Sequence, residues 1–326
     1  MQIWRGLSSV SAGDGTVVTI GNFDGVHRGH QVVLEECRKM ALELGVSSVA
    51  ITFDPHPLLV HCPQTPVELI TSLSDRLIAL ENTGLDVTAV LEYVPSLYTL
   101  TASEFVTEIL VKIFHVKAVV LGQDAHFGAG KTGNVDLLNE LGRELGFQVK
   151  VVADRLGESG RRWSSTWARE LLATGDVSGA AEILGAAHTI RGVVQHGFKR
   201  GRELGFPTAN LDDSCSGIIP ADGVYAGWLQ LNDSAEKLPA AISVGSNPQF
   251  AGQKRTIETH VLGRSDLDLY GKTIVVHFVE RLRGMQCFDS LDELLLQMDA
   301  DLLKASEILE VAPACRVNPA EVTAGV

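Results

Sequence analysis

The chain of 326 residues is short of positive charge: 27 lysines and arginines stand against 40 aspartates and glutamates, a formal charge of −13. That balance argues against a general nucleic-acid binder and for a soluble cytoplasmic protein. Any phosphate it holds must be gripped by local devices rather than by a global field. Cysteine is scarce as well. Cys37, Cys62, Cys215, Cys287 and Cys315 are odd in number, far apart and never in a CxxC pair. Neither a disulfide framework nor a zinc site is expected, and the cysteines read as reduced thiols. No run of about 18 apolar residues offers a membrane span. The opening MQIWRGLSSV has neither the basic stretch nor the apolar core of a signal peptide. Internal repeats and low-complexity linkers are also lacking.

What is present falls into two grammars. TVVTIGNF (16–23), SSVAITF (47–53), DVTAVLEY (86–93), KAVVLG (117–122) and FQVKVV (147–152) read as buried strands that alternate with helical segments. The first helix carries Val33, Cys37, Met40, Ala41 and Leu44 on one face and stops at Gly45. A later one opens on Thr101 and Glu104, a capping-box pattern; further helices are expected over 73–84, near 134–145 and from about 165. Such alternation predicts a parallel sheet covered on both faces, with ligands beyond the carboxyl ends of its strands. After about residue 185 come short β-rich runs punctuated by Gly, Pro and Asn, then a helix over 290–309, the pattern of an antiparallel barrel closed by one helix. The expected domains are therefore 1–184, α/β, and 185–326, barrel, with a mobile tail after 310.

GNFDGVHRGH (21–30) lies where the first strand hands over to a helix. Gly21 and Gly25 allow a sharp turn and a close approach to a ligand. The helix start offers N–H groups to a phosphate, and His27 and His30 can donate to phosphoryl oxygens as charge develops. The plainer alternative is a pair of histidines at a helix cap, and no third ligand nearby supports a metal. In RRWSSTWARE, the hydroxyls of Ser164, Ser165 and Thr166 can hold phosphates while Arg169 neutralises charge. AHFGAGKT (125–132) nearly spells a P-loop but has Ala125 for the first glycine, so it is read as a coincidental glycine-rich loop.

In the second half, GFKRGRELGFPTANL (197–211) sets Lys199, Arg200 and Arg202 among Gly197, Gly201 and Gly205, a loop able to wrap phosphates. Thr208 and Asn210 lie two apart, so on an extended segment their oxygens face one side and suit Mg²⁺. A basic surface loop leading into a strand is the alternative.

HxGH after a strand and a glycine turn, followed by SSTxxR, resembles the nucleotidyltransferase superfamily. With TFDPHP (52–57) and GQDAHFG (122–128) added, the first half is similar to the FMN adenylyltransferase module of bifunctional prokaryotic FAD synthetases. The likeness implies nucleotide contacts from Gly21, Phe23, Asp24, Gly25, Asp124 and Ser164–Thr166. It also implies a flavin side shaped by Pro55, His56 and Pro57, with Asp124 near the flavin phosphate. The second half, from PTAN through PADGVYAG, IETHVLG and FDSLDELL, resembles riboflavin kinase. There Glu258 matches the catalytic base, and Arg283 and Phe288 match the segment closing over the flavin. Ala125, His126, Trp163, Gln249 and Gly263 depart from the family pattern, which bears on flavin affinity more than on the reactions. The implied activity is ATP-dependent phosphorylation of riboflavin to FMN, then adenylylation of FMN to FAD with release of pyrophosphate. Mg²⁺ is the implied cofactor, ATP the co-substrate, and FMN and FAD the product ligands. The partners are then small molecules, with no nucleic acid or membrane, and the chain a monomer or weak homo-oligomer. The rival readings are one active module beside a decayed one, or a non-catalytic flavin-binding or regulatory protein.

Overall fold

The structure is a computed structural model that describes residues 1–321 apart from 65–67, 158–159, 197–199, 213–214 and 247–254. It divides into two compact units, one ending at Ser164 and the other beginning at Ser165.

The first unit is built on six parallel strands: β1 (Gln2–Arg5), β2 (Thr16–Ile20), β3 (Ser47–Asp54), β4 (Val87–Glu92), β5 (Val116–Gly122) and β6 (Gln148–Val152). Their order is β1-β4-β3-β2-β5-β6. The strand order reverses at β2 and β5, which opens a crevice beyond their carboxyl ends. The run TVVTI belongs in the middle because both of its faces are covered. Val18 faces one apolar core with Val49, Ile51 and Leu121, whereas Val17 faces another with Leu34, Cys37 and Met40. Strand β1, absent from the sequence expectation, is a short edge strand that buries only Trp4.

The helix Arg28–Leu44 packs on the second core through Leu34, Cys37, Met40 and Ala41. Its buried face is thus rotated from the one expected: Leu34 is inside and Leu44 is 38% exposed. Gly45 ends it in the left-handed conformation at φ 67, as its sequence position suggested. Burial pushes the Cys37 thiol up to about 12, so it is an inert core residue. The Thr101–Glu104 capping box is formed in full. It leads into a π-helical turn, Phe105–Val111, that buries Phe105, Val106, Ile109 and Leu110.

The second unit opens with the helices Ser165–Thr174 and Val177–Leu184. These pack on the barrel side: Ala221 N–H donates to the Leu172 carbonyl at 3.0 Å, and Arg281 Nη1 to that of Thr174 at 3.1 Å. The antiparallel barrel closes in the order β10-β11-β8-β7-β12-β9. Its strands are β7 (His188–Gln195), β8 (Ala209–Leu211), β9 (Gly223–Leu231), β10 (Lys237–Ser246), β11 (Arg255–Val261) and β12 (Thr273–Arg283). The helix Leu291–Ile308, capped by Ser290, lies on the outer wall through Leu302 and Ala305. Of the tail expected to be mobile after 310, the described residues up to 317 pack on the unit, while 322–326 lie outside the described residues. Ala314 is buried against this helix, its N–H held by Ser306 Oγ at 3.1 Å, and Val317 N–H donates to the Gly205 carbonyl at 3.0 Å.

Candidate active sites

In the first unit a cavity of about 230 Å³ sits at the β2/β5 crevice, lined by Ile20, Gly21, His27, His30, Gly122 and Trp163 among others. Gly25 makes the left-handed turn at φ 78. Gly21 does something else: a Cβ there would meet the Phe23 ring at 3.1 Å, so this glycine admits the ring rather than bending the chain. Phe23 is buried and sets its edge against His30, with centroids 5.2 Å apart.

Asp24, expected on the nucleotide, has a carboxylate that accepts the backbone N–H groups of Ile70 and Thr71, each at 3.1 Å. It anchors a loop, and Thr71 Oγ1 in turn accepts from Gly25 N–H at 3.1 Å. No local pattern signals this, because the partners are remote in the chain and bond through their backbone.

His27 is the N-cap of the helix, and its Nδ1 accepts the His30 backbone N–H at 3.3 Å. An accepting Nδ1 puts the proton of the neutral ring on Nε2. Its ring stacks on that of His30 at 3.6 Å, with 22° between planes. Burial and the positive charge of Arg162 lower the His27 pKa to about 4, against the opposing pull of Asp24. Burial, His27 and Arg76 hold His30 well below the ordinary imidazole value. Both rings are neutral near pH 7, so either could offer a dipolar N–H rather than a positive charge. Gly29 makes the stack possible, since a Cβ there would lie 3.0 Å from the His27 ring.

Two cations near this site escaped sequence reasoning. Arg76 is 2% exposed and donates Nη1 to Thr52 Oγ1 at 3.3 Å and to the Phe53 carbonyl at 3.4 Å. The available signal was its position four residues before Leu80 on a buried helical face. Arg162, beside the SST motif, pairs with Asp124 and, at 3.0 Å, with Asp154. Asp124 therefore stands at the cavity rim, 60% exposed and joined to Arg162. Ala125 and Trp163 line the cavity, and the Arg28 guanidinium lies 5.8 Å from the Trp163 ring centroid.

Ser164 also lines the cavity, whereas Ser165, Thr166 and Arg169 begin the first helix of the second unit. In TFDPHP, His56 is buried and caps the helix Pro57–His61 through Nδ1, which accepts from Leu58 N–H at 3.1 Å; Pro55 and Pro57 flank it. The near P-loop contains a single 3-10 turn, Ala129–Lys131, and gives only Ala125 to the cavity of the first unit and nothing to that of the second.

In the second unit a cavity of about 640 Å³ lies between the outer wall of the barrel and the helix Leu291–Ile308. Thr208, Glu258, His260, Arg283, Phe288 and Asp301 are among its lining residues. Glu258 faces Ser243 across one strand pair and Asn210 across the other, so strand register brings the PTAN segment to the carboxylate. Burial raises the Glu258 pKa, and a hydrogen bond from Thr208 opposes the rise. Asn210 donates Nδ2 to the Thr208 carbonyl at 3.2 Å, which leaves its Oδ1 as an acceptor.

Arg283, expected on the flavin, is bound to Asp301 through Nε at 3.0 Å and Nη2 at 2.7 Å, and lies 5.8 Å from the Phe288 ring centroid. It lines the cavity while clamping the helix to β12. Gly201 and Gly205 close a tight turn instead of a flexible loop. A Cβ on Gly201 would lie 2.4 Å from the Phe206 carbonyl oxygen, and one on Gly205 would lie 2.4 Å from that of Val317. Arg202 follows Gly201 in the short helix Arg200–Glu203. Gly197, Lys199 and Gln249 lie outside the described residues, and Gly263 is at φ 66.

The family model described as FAD synthetase matches residues 10–167, and that described as riboflavin kinase matches residues 184–309. The bifunctional riboflavin kinase/FMN adenylyltransferase of Escherichia coli K12 is 36% identical over 310 residues, covering 94% of this chain and 97% of that protein. Its namesake from Pseudomonas fluorescens is 37% identical over 308 residues, with coverage of 94% and 97%. A crystal structure from Streptococcus pneumoniae, described as a macrolide-efflux protein, superimposes with a TM-score of 0.84 at 31% identity, covering 92% of this chain and 97% of that one. Among the described residues here, no helix is long and apolar enough to cross a membrane.

Proposed function

Because the chain belongs to the family of bifunctional riboflavin kinase/FMN adenylyltransferases, we propose that its barrel phosphorylates riboflavin and its α/β domain adenylylates the resulting FMN to FAD. The functional halves we assign are 1–184 and 185–326, with the work done in the cytoplasm. One contrast carries the reading: the cavity of the second unit holds a buried carboxylate, Glu258, and that of the first holds two stacked neutral imidazoles.

The two nucleophiles need those different surroundings. The ribityl 5′-hydroxyl of riboflavin is un-ionised at neutral pH and needs a base as it attacks the γ-phosphorus, breaking the bond to the β,γ-bridging oxygen and releasing ADP. Glu258 takes that proton, and its burial makes it a stronger base than an exposed glutamate. The FMN phosphate has a second pKa of about 6 and is already ionised. It attacks the α-phosphorus of ATP and expels pyrophosphate with no protein base. There His27 donates from Nε2 to a phosphoryl oxygen, His30 supports it through the stack, and the backbone from Gly21 to Gly25 borders the phosphates. Ser164, Ser165, Thr166 and Arg169 serve the departing pyrophosphate. Asp124 and Arg162 form the rim toward the flavin phosphate, and Pro55, His56 and Pro57 shape the flavin side. In the barrel, the segment from Gly197 to Gly205, with Lys199 and Arg202, receives the ATP phosphates.

Thr208 Oγ1 and Asn210 Oδ1 fit Mg²⁺, a hard cation that prefers oxygen. Among the described residues no group of three His, Cys, Asp or Glu side chains could hold a metal, so the remaining ligands would be phosphate oxygens and water. When bound, the ion neutralises the charge that gathers on the transferred phosphoryl group.

The test supplies riboflavin with MgATP and, separately, FMN with MgATP. Both FMN and FAD are expected. FMN alone would mean a decayed first module, FAD only from supplied FMN a decayed barrel, and flavin binding without ATP consumption a non-enzymatic protein.

A further inference from the structure

The kinase chemistry above uses Glu258 and leaves its neighbour two residues along β11 without a role. His260 is 4% exposed and lines the same cavity. Side chains alternate along a strand, so His260 and Glu258 share the wall that faces the closing helix. Ala241 stands opposite His260 as Ser243 stands opposite Glu258. The Phe206 ring meets the imidazole edge-on, with centroids 5.8 Å apart.

The two ring nitrogens are treated differently. Nδ1 lies 2.7 Å from the Pro207 carbonyl oxygen, and a carbonyl only accepts. The proton is therefore on Nδ1, and the neutral ring, kept neutral by its burial, leaves a lone pair on Nε2. That Nε2 is buried and has no partner. An unsatisfied buried acceptor on a residue that lines a cavity marks a place for a donor once a ligand is seated there.

We propose that His260 Nε2 accepts a hydrogen bond from a secondary hydroxyl of the ribityl chain, fixing the polyol so that its terminal 5′-hydroxyl reaches Glu258. This rests on the kinase reading. The spacing suits it: two residues of strand cover about 7 Å, comparable to an extended polyol between its terminal oxygen and an inner hydroxyl. The broad flavin ring is left to the apolar lining of Phe288, Leu291, Leu294 and Met298. Holding Pro207 also keeps the following Thr208 beside Glu258, so His260 couples the polyol to the PTAN segment.

The experiment measures FMN formation from riboflavin and from its 2′-, 3′- and 4′-deoxy analogues, in the full-length wild-type protein and in His260→Phe and His260→Gln. The wild-type protein should show a KM about tenfold higher for one analogue than for riboflavin. His260→Phe should raise the riboflavin KM by about the same factor, leave the ATP KM within twofold and lose the discrimination against that analogue. His260→Gln, which offers both an N–H and an acceptor, should recover part of it. FAD formation from supplied FMN reports on the integrity of each variant. Equal discrimination in wild type and His260→Phe would overturn the proposal. If His260→Phe does not fold, wild-type KM values that do not differ among the analogues would overturn it just as well. Failure of the wild-type protein to make any FMN would instead overturn the kinase reading, and this proposal with it.

Discussion

Gly29→Ala separates local stability from catalysis in the first unit. The glycine is in the first helical turn and has no left-handed backbone to protect, so alanine is allowed by conformation. The obstacle is the His27 ring: the new Cβ would lie 3.0 Å from Cε1 and 3.1 Å from Nδ1, with the Trp163 carbonyl oxygen at 3.5 Å on the other side. The ring must give by a few tenths of an ångström, and Nδ1 is the atom that caps the helix. Weakening that cap costs up to about 1 kcal/mol, while replacing a helical glycine by alanine returns a similar amount, no more than about 1 kcal/mol. The net change in stability is close to zero. Catalysis has no such compensation. A misplacement of about 1 Å can cost about 100-fold, so a smaller shift in the donating Nε2 should lower kcat for FAD formation about tenfold. Urea unfolding, FAD formation from FMN and FMN formation from riboflavin on one preparation give the result. FMN formation and unfolding should match wild type. FAD formation within twofold of wild type would refute the view that the His27 ring position carries the first reaction.

Three further outcomes follow from the same geometry. Glu258→Gln should lower FMN formation by about 10²–10⁴-fold, the range for losing a general base, with FAD formation from supplied FMN unchanged; parallel loss of both would contradict separate sites. His27 binds a proton near 6.5 when unfolded but only at about 4 when folded, so acidification across that window favours the unfolded chain by up to about 3 kcal/mol. His27→Asn, which keeps a capping acceptor, should show a correspondingly smaller loss of stability from pH 7 to pH 4 in urea titrations, and equal losses would be contrary evidence. Asp301→Ala strands a guanidinium only 15% exposed and should destabilise by about 3–5 kcal/mol. Adding Arg283→Met should recover most of that, and no recovery would mean that Asp301 acts other than through Arg283.

The strand that launches the first site, its helix, the capping box at Thr101 and the barrel grammar were all legible, because each depends on short-range periodicity or a local cap. The buried face of the Arg28–Leu44 helix was misjudged toward Leu44 because, at the helix end, an apolar residue has no wall left to cover it. Strand β1 escaped because an edge strand four residues long has almost no period. Within the sites, residue types were readable but their tasks often were not. Asp24 in GNFDG and Arg283 near FDSL are charged groups in the right motifs, yet each is bonded to a distant part of its own unit. Arg162 was hidden by the hydroxyl motif that follows it. Gly21 and Gly205 read in the sequence as freedom of the chain, but each makes room for a neighbouring group, and so does Gly29, which no local pattern encodes.

The protonation states of His27 and His260 follow one rule, and it divides the tasks proposed for them. A neutral imidazole has one donor and one acceptor, and whichever nitrogen the scaffold engages decides what the other offers. His27 is engaged by an N–H, from His30, so its free nitrogen donates, as an electron-rich phosphoryl oxygen requires. His260 is engaged by a carbonyl, from Pro207, so its free nitrogen accepts, as a hydroxyl requires. Burial prevents both rings from taking the second proton that would erase the distinction. On the functions proposed above, the backbone group on the far side of each ring selects the kind of ligand each cavity would take: phosphate in the first unit, polyol in the second.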